Sequence, residues 1–569
     1  MLKYRFWRFS IILLVLASLI LSACQPIQAP APAADHDHAT HDHATEAAAA
    51  GAASLLGNLG KHTRPITTNS ELAQKYFDEG LNLTYGFNHA EAIRSYQDAI
   101  KLDPDCAMCY WGIAYALGPN INALMDPAAV QPAWDALQQA IKLAPKASQV
   151  EQDLIAALAT RYSDDPAADR AALDKAFADA MRNLAQAYPD DMDVVTVFAE
   201  ALMNLTPWNY WTKAGEPTQY TEEIVATLEA VLAAAPDHPG ANHFYIHAVE
   251  GSQMPERAVP SADRLTTLVP GAGHLVHMPG HIYWRVGRYA DVITTNEHAI
   301  HSDESYIPDY NAQGMYVVGY YPHNIHFLSC AAQMQGNSQM AIASARKVAE
   351  KIPDPIAVAV PLLQNFGPMP LFALVRFGKW EEILAEPQPS ADLRYATGIW
   401  HWARGMAYKA TGDLEKAQAE YNAVMELAQV DDLKNLVILG FTTGATNLTL
   451  AGHILAADLA GAQGETEQQL AELEAAVKLQ DELPYVEPPA WYFPTRQYLG
   501  AALLDAGRAA DAEAIYRADL KEYPHNGWSL FGLMKSLEAQ NKTGDAAAVQ
   551  KEFEAAWQHA DVTLTTTRF

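Results

Sequence analysis

"YFDEGLNLTYGFNHAEAIRSYQDAIKLDP", residues 76–104, sets Gly80, Ala92, Tyr96, Ala99 and Pro104 at intervals that return twice more along the chain. "WHWARGMAYKATGDLEKAQAEY" (400–421) repeats the spacing with Gly405, Tyr408, Gly412, Ala417 and Tyr421. "YLGAALLDAGRAADAEAIYRADLKEYP" (498–524) does so with Gly500, Gly507, Ala512, Tyr516 and Pro524. Each copy reads as two helices around a short turn. Such a pair exposes apolar faces that only the next pair can cover, so the repeats have to stack. Strand-like alternation is rare, and the expected fold class is all-α.

These intervals resemble the tetratricopeptide repeat (TPR) superfamily, whose period is about 34 residues, and the likeness covers most of residues 70–560. It implies a right-handed superhelical solenoid with a concave inner groove, built here from about twelve TPR-like helical hairpins. Two insertions interrupt the pattern, "GPNINALMDP" (118–127) and "TPWNYWTKAGEP" (206–217). The repeats divide into an N-terminal block (70–235), a histidine-rich central block (236–355) and a C-terminal block (356–569). "HLVHMPGHIYWR" (274–285) and "YYPHNIHF" (320–327) also resemble motifs of a group of bacterial tetratricopeptide lipoproteins, a resemblance that implies no activity.

Ahead of the repeats, residues 1–24 read as a lipoprotein signal peptide. Lys3, Arg5 and Arg8 precede an apolar run too short to span a bilayer comfortably, which ends in "LSAC". Cys24 is then the lipidated first mature residue, which places the protein in the bacterial cell envelope, extracytoplasmic and lipid-anchored. Residues 25–69 form a low-complexity tether. It contains "HDHATHDHAT" (36–45), where His36, His38, His41 and His43 form a loose metal-binding tail or a solvated spacer. The formal net charge is −29, and removing the three leader cations takes it to −29 − 3 = −32. So acidic a surface argues against nucleic acid as a partner. Cys106 and Cys109 form "CAMC"; Tyr110 follows where a c-type haem site needs histidine. A local disulfide, two half-buried thiols or a pair of metal ligands remain open for them.

Histidines concentrate in the central block. Registering the repeats on Gly287, Tyr289, Gly280 and Tyr283 places His274, His277 and His281 at repeat positions 2, 5 and 9. Upstream, His243, His247 and Glu250 take positions 5, 9 and 12; downstream, His323, His326 and Cys330 take 2, 5 and 9. Glu200 takes position 9 of the preceding repeat. At about 100° per residue, positions 2, 5 and 9 share an arc of about 60°, centred about 150° from the packing positions. The resemblance makes that face the lining of the groove, although Pro279 is expected to kink or start a helix and rotate His274 away. His89, His298 and His301 belong to second helices, while His401 and His453 fall at packing position 4.

Imidazoles four apart on one helix face bind a single ion, and carboxylate and thiolate are compatible companions. The expected site therefore comprises His243, His247, Glu250, His274, His277, His281, His323, His326, Cys330 and Glu200 around copper, zinc or iron. Trp208, Tyr210, Trp211, Trp284, Arg285, Tyr320 and Tyr321 are its expected walls. Metal handling and metal-dependent chemistry both fit that ligand set. An open metal position would activate water or oxygen, with a free histidine or Glu250 as acid or base. The other expectation is a scaffold whose groove grips an extended peptide or protein partner without metal. No Ser-His-Asp arrangement, P-loop or dinucleotide fingerprint stands out.

Overall fold

A computed structural model describes residues 51–165, 167–308, 312, 314–438 and 442–569. Cys24 and the histidines of the tail lie outside the described residues, and with them the readings of anchor and tether. The described chain is all-α apart from isolated bridges in the two insertions and a two-residue strand pair, Val437–Ile438 with Thr442–Thr443. Its helices follow one another as hairpins. Two compact units hold them: an N-terminal unit running to Ile282 and resuming at His298–Val317, and a C-terminal unit of Tyr283–Glu297 and Val318–Phe569. The central block 236–355 contributes to both. Among the described residues no helix is long and apolar enough to cross a membrane.

The repeat spacing has a direct steric meaning. In the N-terminal unit, helix Glu71–Tyr85 pairs with His89–Leu102, and Ala107–Ala116 follows. The buried Tyr96 ring stands between Gly80 and Gly112: a Cβ on either glycine would lie 2.6 Å from a ring carbon. In the C-terminal unit, Tyr516 of Ala509–Glu522 fills the same slot between Gly500 of Thr495–Asp505 and Gly532 of Gly527–Ala539. Substituting a Cβ there would bring it within 2.4 Å and 2.2 Å of the ring. In these two hairpins the aromatic of the second helix thus interlocks with two first helices, and only glycine leaves room.

Local signals set the helix ends around the central block. Helix Pro239–Val249 begins with proline at its first position, and His238 caps it by accepting the Ala241 amide at 3.1 Å on Nδ1. Every residue of that helix is buried, the pattern of a helix enclosed on all sides. The expected break at Pro279 is present: one helix runs Gly273–His277 and the next starts at Pro279. Gly273 permits a close approach, since a Cβ there would lie 2.0 Å from a carboxylate oxygen of Asp303. Tyr316 donates to that oxygen and accepts the His274 amide, both at 2.9 Å, which fixes the first turn of Gly273–His277.

The interlock yields a test. Gly532→Val should destabilise the protein by about 1–3 kcal/mol, because the Tyr516 ring has backbone on both sides and cannot retreat. Gly544 has nothing within 4 Å of its Cβ direction, so Gly544→Ala should be neutral or stabilising by up to about 1 kcal/mol. Urea titrations of the two variants would separate the predictions.

Candidate metal centre

The sequence pattern brings five histidines of the N-terminal unit together. Their ring centroids form a continuous set: His243–His247 at 4.8 Å, His243–His274 at 4.9 Å, His274–His277 at 5.9 Å, His277–His281 at 4.8 Å and His247–His281 at 5.9 Å. The expectation that they line an open face is corrected, because all five are buried, none more than 3% exposed. Two aromatic residues from turns account for this. Phe87, in left-handed backbone after Glu71–Tyr85, lies 4.7 Å from His243, 6.2 Å from His247 and 5.6 Å from His274, ring to ring. Trp208, likewise left-handed and part of the second insertion, stands edge-on to His247 at 5.1 Å.

Hydrogen bonds assign the ring protons. The Nδ1 of His243 lies 2.6 Å from the Tyr85 carbonyl oxygen, which only accepts. Nδ1 therefore carries the hydrogen, and the lone pair is on Nε2. Glu250 plays the same part for two rings at once, its oxygens lying 2.7 Å from Nδ1 of His247 and 2.6 Å from Nδ1 of His281. Burial alone would raise the Glu250 carboxyl; the His281 imidazole and the hydrogen bonds from both rings outweigh it and hold it far below the usual range. The Nε2 atoms of His243 and His247 are buried and have no hydrogen-bond partner. Nε2 of His281 faces Nε2 of His277 at 2.9 Å. With Nδ1 of His281 donating to Glu250, the proton between these two nitrogens belongs to His277. Two nitrogens bonded to one ion at 2.0–2.1 Å and subtending a right angle would also lie about 2.9 Å apart.

The chemistry of the donors fits a transition metal. One ligand nitrogen from each of His243, His247 and His274 can be chosen so that all lie within 4.8 Å of one another. Burial, then the neighbouring imidazoles, keeps His243 and His274 neutral by pushing their pKa values far below the ordinary one. Burial does the same to His247 despite Glu250. Neutral imidazoles pinned through Nδ1 by a carboxylate or a carbonyl are the usual state of metal-bound histidine.

Glu200, Tyr210 and Trp211 are engaged elsewhere in the N-terminal unit. Glu200 accepts from Tyr115 and, at 2.7 Å, from Asn204, and burial raises its pKa. It lines a small cavity with Tyr85, Phe87 and Phe244, and the rings of Phe87 and Phe244 also adjoin His243. Trp211 donates to the Ala248 carbonyl at 2.7 Å and Tyr210 is core. In the C-terminal unit, Trp284 is buried against Tyr289 and Phe327 rather than walling a groove, because the helix after Pro279 turns it inward. Arg285 stacks over Tyr485, and Tyr321 is buried under Lys351. His323 is half-buried, edge-on to Phe327. His326 is buried between Phe366 and Tyr492 with neither ring nitrogen hydrogen-bonded, and Cys330 is a buried free thiol whose pKa burial raises. Cys106 and Cys109 are joined as a disulfide at the start of Ala107–Ala116.

A second group, His62, Asp193 and His238, was not anticipated from the sequence. It reads as structural. His238 Nδ1 accepts a backbone amide, so its Nε2–H donates to Asp193 at 3.2 Å; Tyr85 and His62 also bond Asp193, at 2.6 and 3.0 Å, and Arg64 pairs with it. That leaves His238 no free lone pair. The N-cap position of His238 before Pro239 is the one sequence signal that marks it.

Among known proteins, the family described as "Tetratricopeptide repeat" matches residues 401–431. The fold is similar to the human IFIT1 dimer with m7Gppp-AAAA, at 10% identity and a TM-score of 0.31, over 87% of this chain and 92% of that one. It is also similar to yeast Tom70, at 12% identity and a TM-score of 0.26, over 86% and 92%. No curated protein sequence matches the chain.

Buried neutral imidazoles link stability to pH. His243, His247, His274 and His326 all have folded pKa values below the ordinary 6.5, that of His326 being about 3 through burial alone. Below pH 6.5 the unfolded chain takes up protons that the folded chain refuses, so stability falls on acidification, by up to about 1.4 kcal/mol per pH unit for each such group. The metal-free protein should lose stability steadily between pH 7 and pH 5 in urea titrations. His326→Leu should make that dependence shallower by one proton, whereas an unchanged slope would mean that His326 is already charged in the fold.

Proposed function

We propose that this chain, a tetratricopeptide repeat protein, binds a transition metal ion in the imidazole cluster of its N-terminal unit. His243, His247 and His274 would hold the ion, and Glu250 would orient His247. His277 and His281, the latter held by the same carboxylate, adjoin as further ligands or as proton-exchanging groups. The observation that carries this reading is the pair of buried Nε2 lone pairs on His243 and His247, each ring fixed through Nδ1 and neither nitrogen hydrogen-bonded. A polar atom left so in a core costs about 1–3 kcal/mol, and a ligand bond removes that cost.

Three neutral nitrogens suit copper, zinc or iron better than the harder calcium or magnesium. When bound, such an ion would supply Lewis acidity and an open coordination position. The roles left to the chain are to keep the imidazoles neutral, to exclude bulk water with Phe87 and Trp208, and to keep the protons of His247 and His281 on Nδ1, donated to the Glu250 carboxylate. This supports metal handling or metal-dependent chemistry, in an envelope protein tethered through a lipid on Cys24 and carrying an auxiliary histidine tail. The peptide-binding reading retains one support, since stacked tetratricopeptide hairpins offer extended surfaces for protein partners.

The test is metal titration of the full chain after chelation, read by elemental analysis and by the visible spectrum of bound cobalt. Wild type should retain a stoichiometric ion after gel filtration. His243→Ala with His247→Ala should abolish retention with helical content kept, and Glu250→Gln should weaken binding about 10–100-fold. Deleting residues 36–45 should leave the tight ion in place. Loss of that ion with the tail deletion alone would move the site out of the folded unit, and failure of wild type to retain any ion would leave the cluster a structural one.

A further inference from the structure

Residues 561–569, "DVTLTTTRF", leave the last helix and lie across the first helices of the C-terminal hairpins. Asp561 caps helix Ser338–Lys351, accepting the Ser338 and Gln339 amides at 2.7 and 2.9 Å, while its own amide donates to the Gly336 carbonyl at 3.1 Å. Leu564 is buried. The Thr567 hydroxyl donates to the Gln497 carbonyl at 2.7 Å and accepts from Tyr516 at 2.8 Å. Arg568 pairs with the buried Asp458 of Gly444–Ala462, a carboxylate that Lys409 of Arg394–Ala410 also approaches at 3.3 Å. Phe569 rests edge-on to Trp528 of Gly527–Ala539, 5.8 Å between centroids, beside Gly378, which follows helix Met369–Arg376.

A segment that lies on several hairpins and is held there through Leu564, Thr567, Arg568 and Phe569 is bound as a peptide ligand is bound. The segment has no helix or strand of its own. Residues 564–569 are held through side-chain contacts to a hydroxyl slot at Gln497 and Tyr516, the buried carboxylate of Asp458 and an aromatic shelf at Trp528. We infer that this surface is a peptide-binding site, occupied in cis by Leu564–Phe569, and that its exchangeable partner is a segment of another protein with a hydroxyl residue, a basic residue and an aromatic residue in succession. Asp458 sets the choice. Facing Lys409 alone, its buried charge is incompletely hydrogen-bonded, so it selects a cation at the second position. Nothing in this inference depends on metal.

The experiment uses the chain ending at Thr563 and a fluorescent peptide of residues 564–569 as the probe. The shortened chain should bind the peptide saturably in fluorescence anisotropy, and the full chain should not. A peptide with alanine in place of the arginine, or Asp458→Asn in the shortened chain, should bind at least about tenfold more weakly, because either change leaves a buried charge without its partner. Absence of binding by a folded shortened chain, or binding indifferent to both changes, would overturn the proposal. Should the shortened chain fail to fold, full-length Arg568→Ala decides by hydrogen exchange. Amides of 564–569 should exchange at least about tenfold faster while helices Gly444–Ala462 and Thr495–Asp505 stay protected. Helices that open together with the segment would show it to be part of the core and sink the inference.

Discussion

An aromatic ring held between two glycines fixes helix rotation in the first hairpin of the N-terminal unit and again near the end of the C-terminal unit. Tyr96 between Gly80 and Gly112, and Tyr516 between Gly500 and Gly532, lock the second helix of a hairpin to its own first helix and to the next one. A ring seated this way consumes one face of each first helix and fixes its rotation. Because rotation is fixed, the opposite face is fixed as well, and whatever side chains the sequence places there are presented in register from repeat to repeat. The imidazole cluster has a ring–glycine contact of its own: a Cβ on Gly240 of helix Pro239–Val249 would lie 2.6 Å from the Tyr85 ring. His243 and His247 come from one first helix, His274 and His277 from Gly273–His277 and His281 from the helix that starts at Pro279, yet their rings are neighbours. Close packing has no slack in which such rings could be scattered.

Glu250 adds the electrostatic condition. A buried carboxylate is unfavourable unless it is fully hydrogen-bonded, and the two ring N–H groups of His247 and His281 supply those bonds. In return the carboxylate fixes which nitrogen of each ring is protonated. One residue therefore sets the chemistry of two. Tyr85 connects this arrangement to the rest of the unit, since its carbonyl takes the proton of His243 while its hydroxyl bonds Asp193 in the His62–Asp193–His238 network. A displacement at either network passes through the same short piece of backbone.

Much of this was legible in the sequence, because periodicity reports rotation. The spacing of Gly80, Ala92, Tyr96, Ala99 and Pro104 specifies the hairpin, and positions 5, 9 and 12 place His243, His247 and Glu250 on one face before any coordinates exist. The break at Pro279 follows from proline chemistry. What periodicity cannot report is the cover. Phe87 and Trp208 reach the imidazoles from left-handed turn positions whose direction is set by the tertiary fold, so an exposed lining was expected where an enclosed core is found. The bond from His243 to the Tyr85 carbonyl spans 158 residues and uses a backbone group that is the same in every sequence. The docked segment Leu564–Phe569 has no period at all, and only its contacts reveal it.

The enclosure itself bears on what the cluster is for. Helix Pro239–Val249 is buried along its whole length, a setting in which leucine or methionine would pack without any polar demand. Imidazole there must be kept neutral, as the depressed pKa values of His243, His247 and His274 reflect, and each such histidine makes the fold more sensitive to acid. It must also have its lone pairs answered, and on Nε2 of His243 and His247 no hydrogen-bond donor does so. Structural histidines elsewhere in the unit look different: His238 has both nitrogens engaged, one by a backbone amide and one by a carboxylate. The cluster departs from that treatment at His243 and His247, where Nδ1 is anchored and Nε2 meets no hydrogen-bond donor. Two such lone pairs side by side on one buried helix, each ring pinned through its other nitrogen, form a preformed set of ligand atoms.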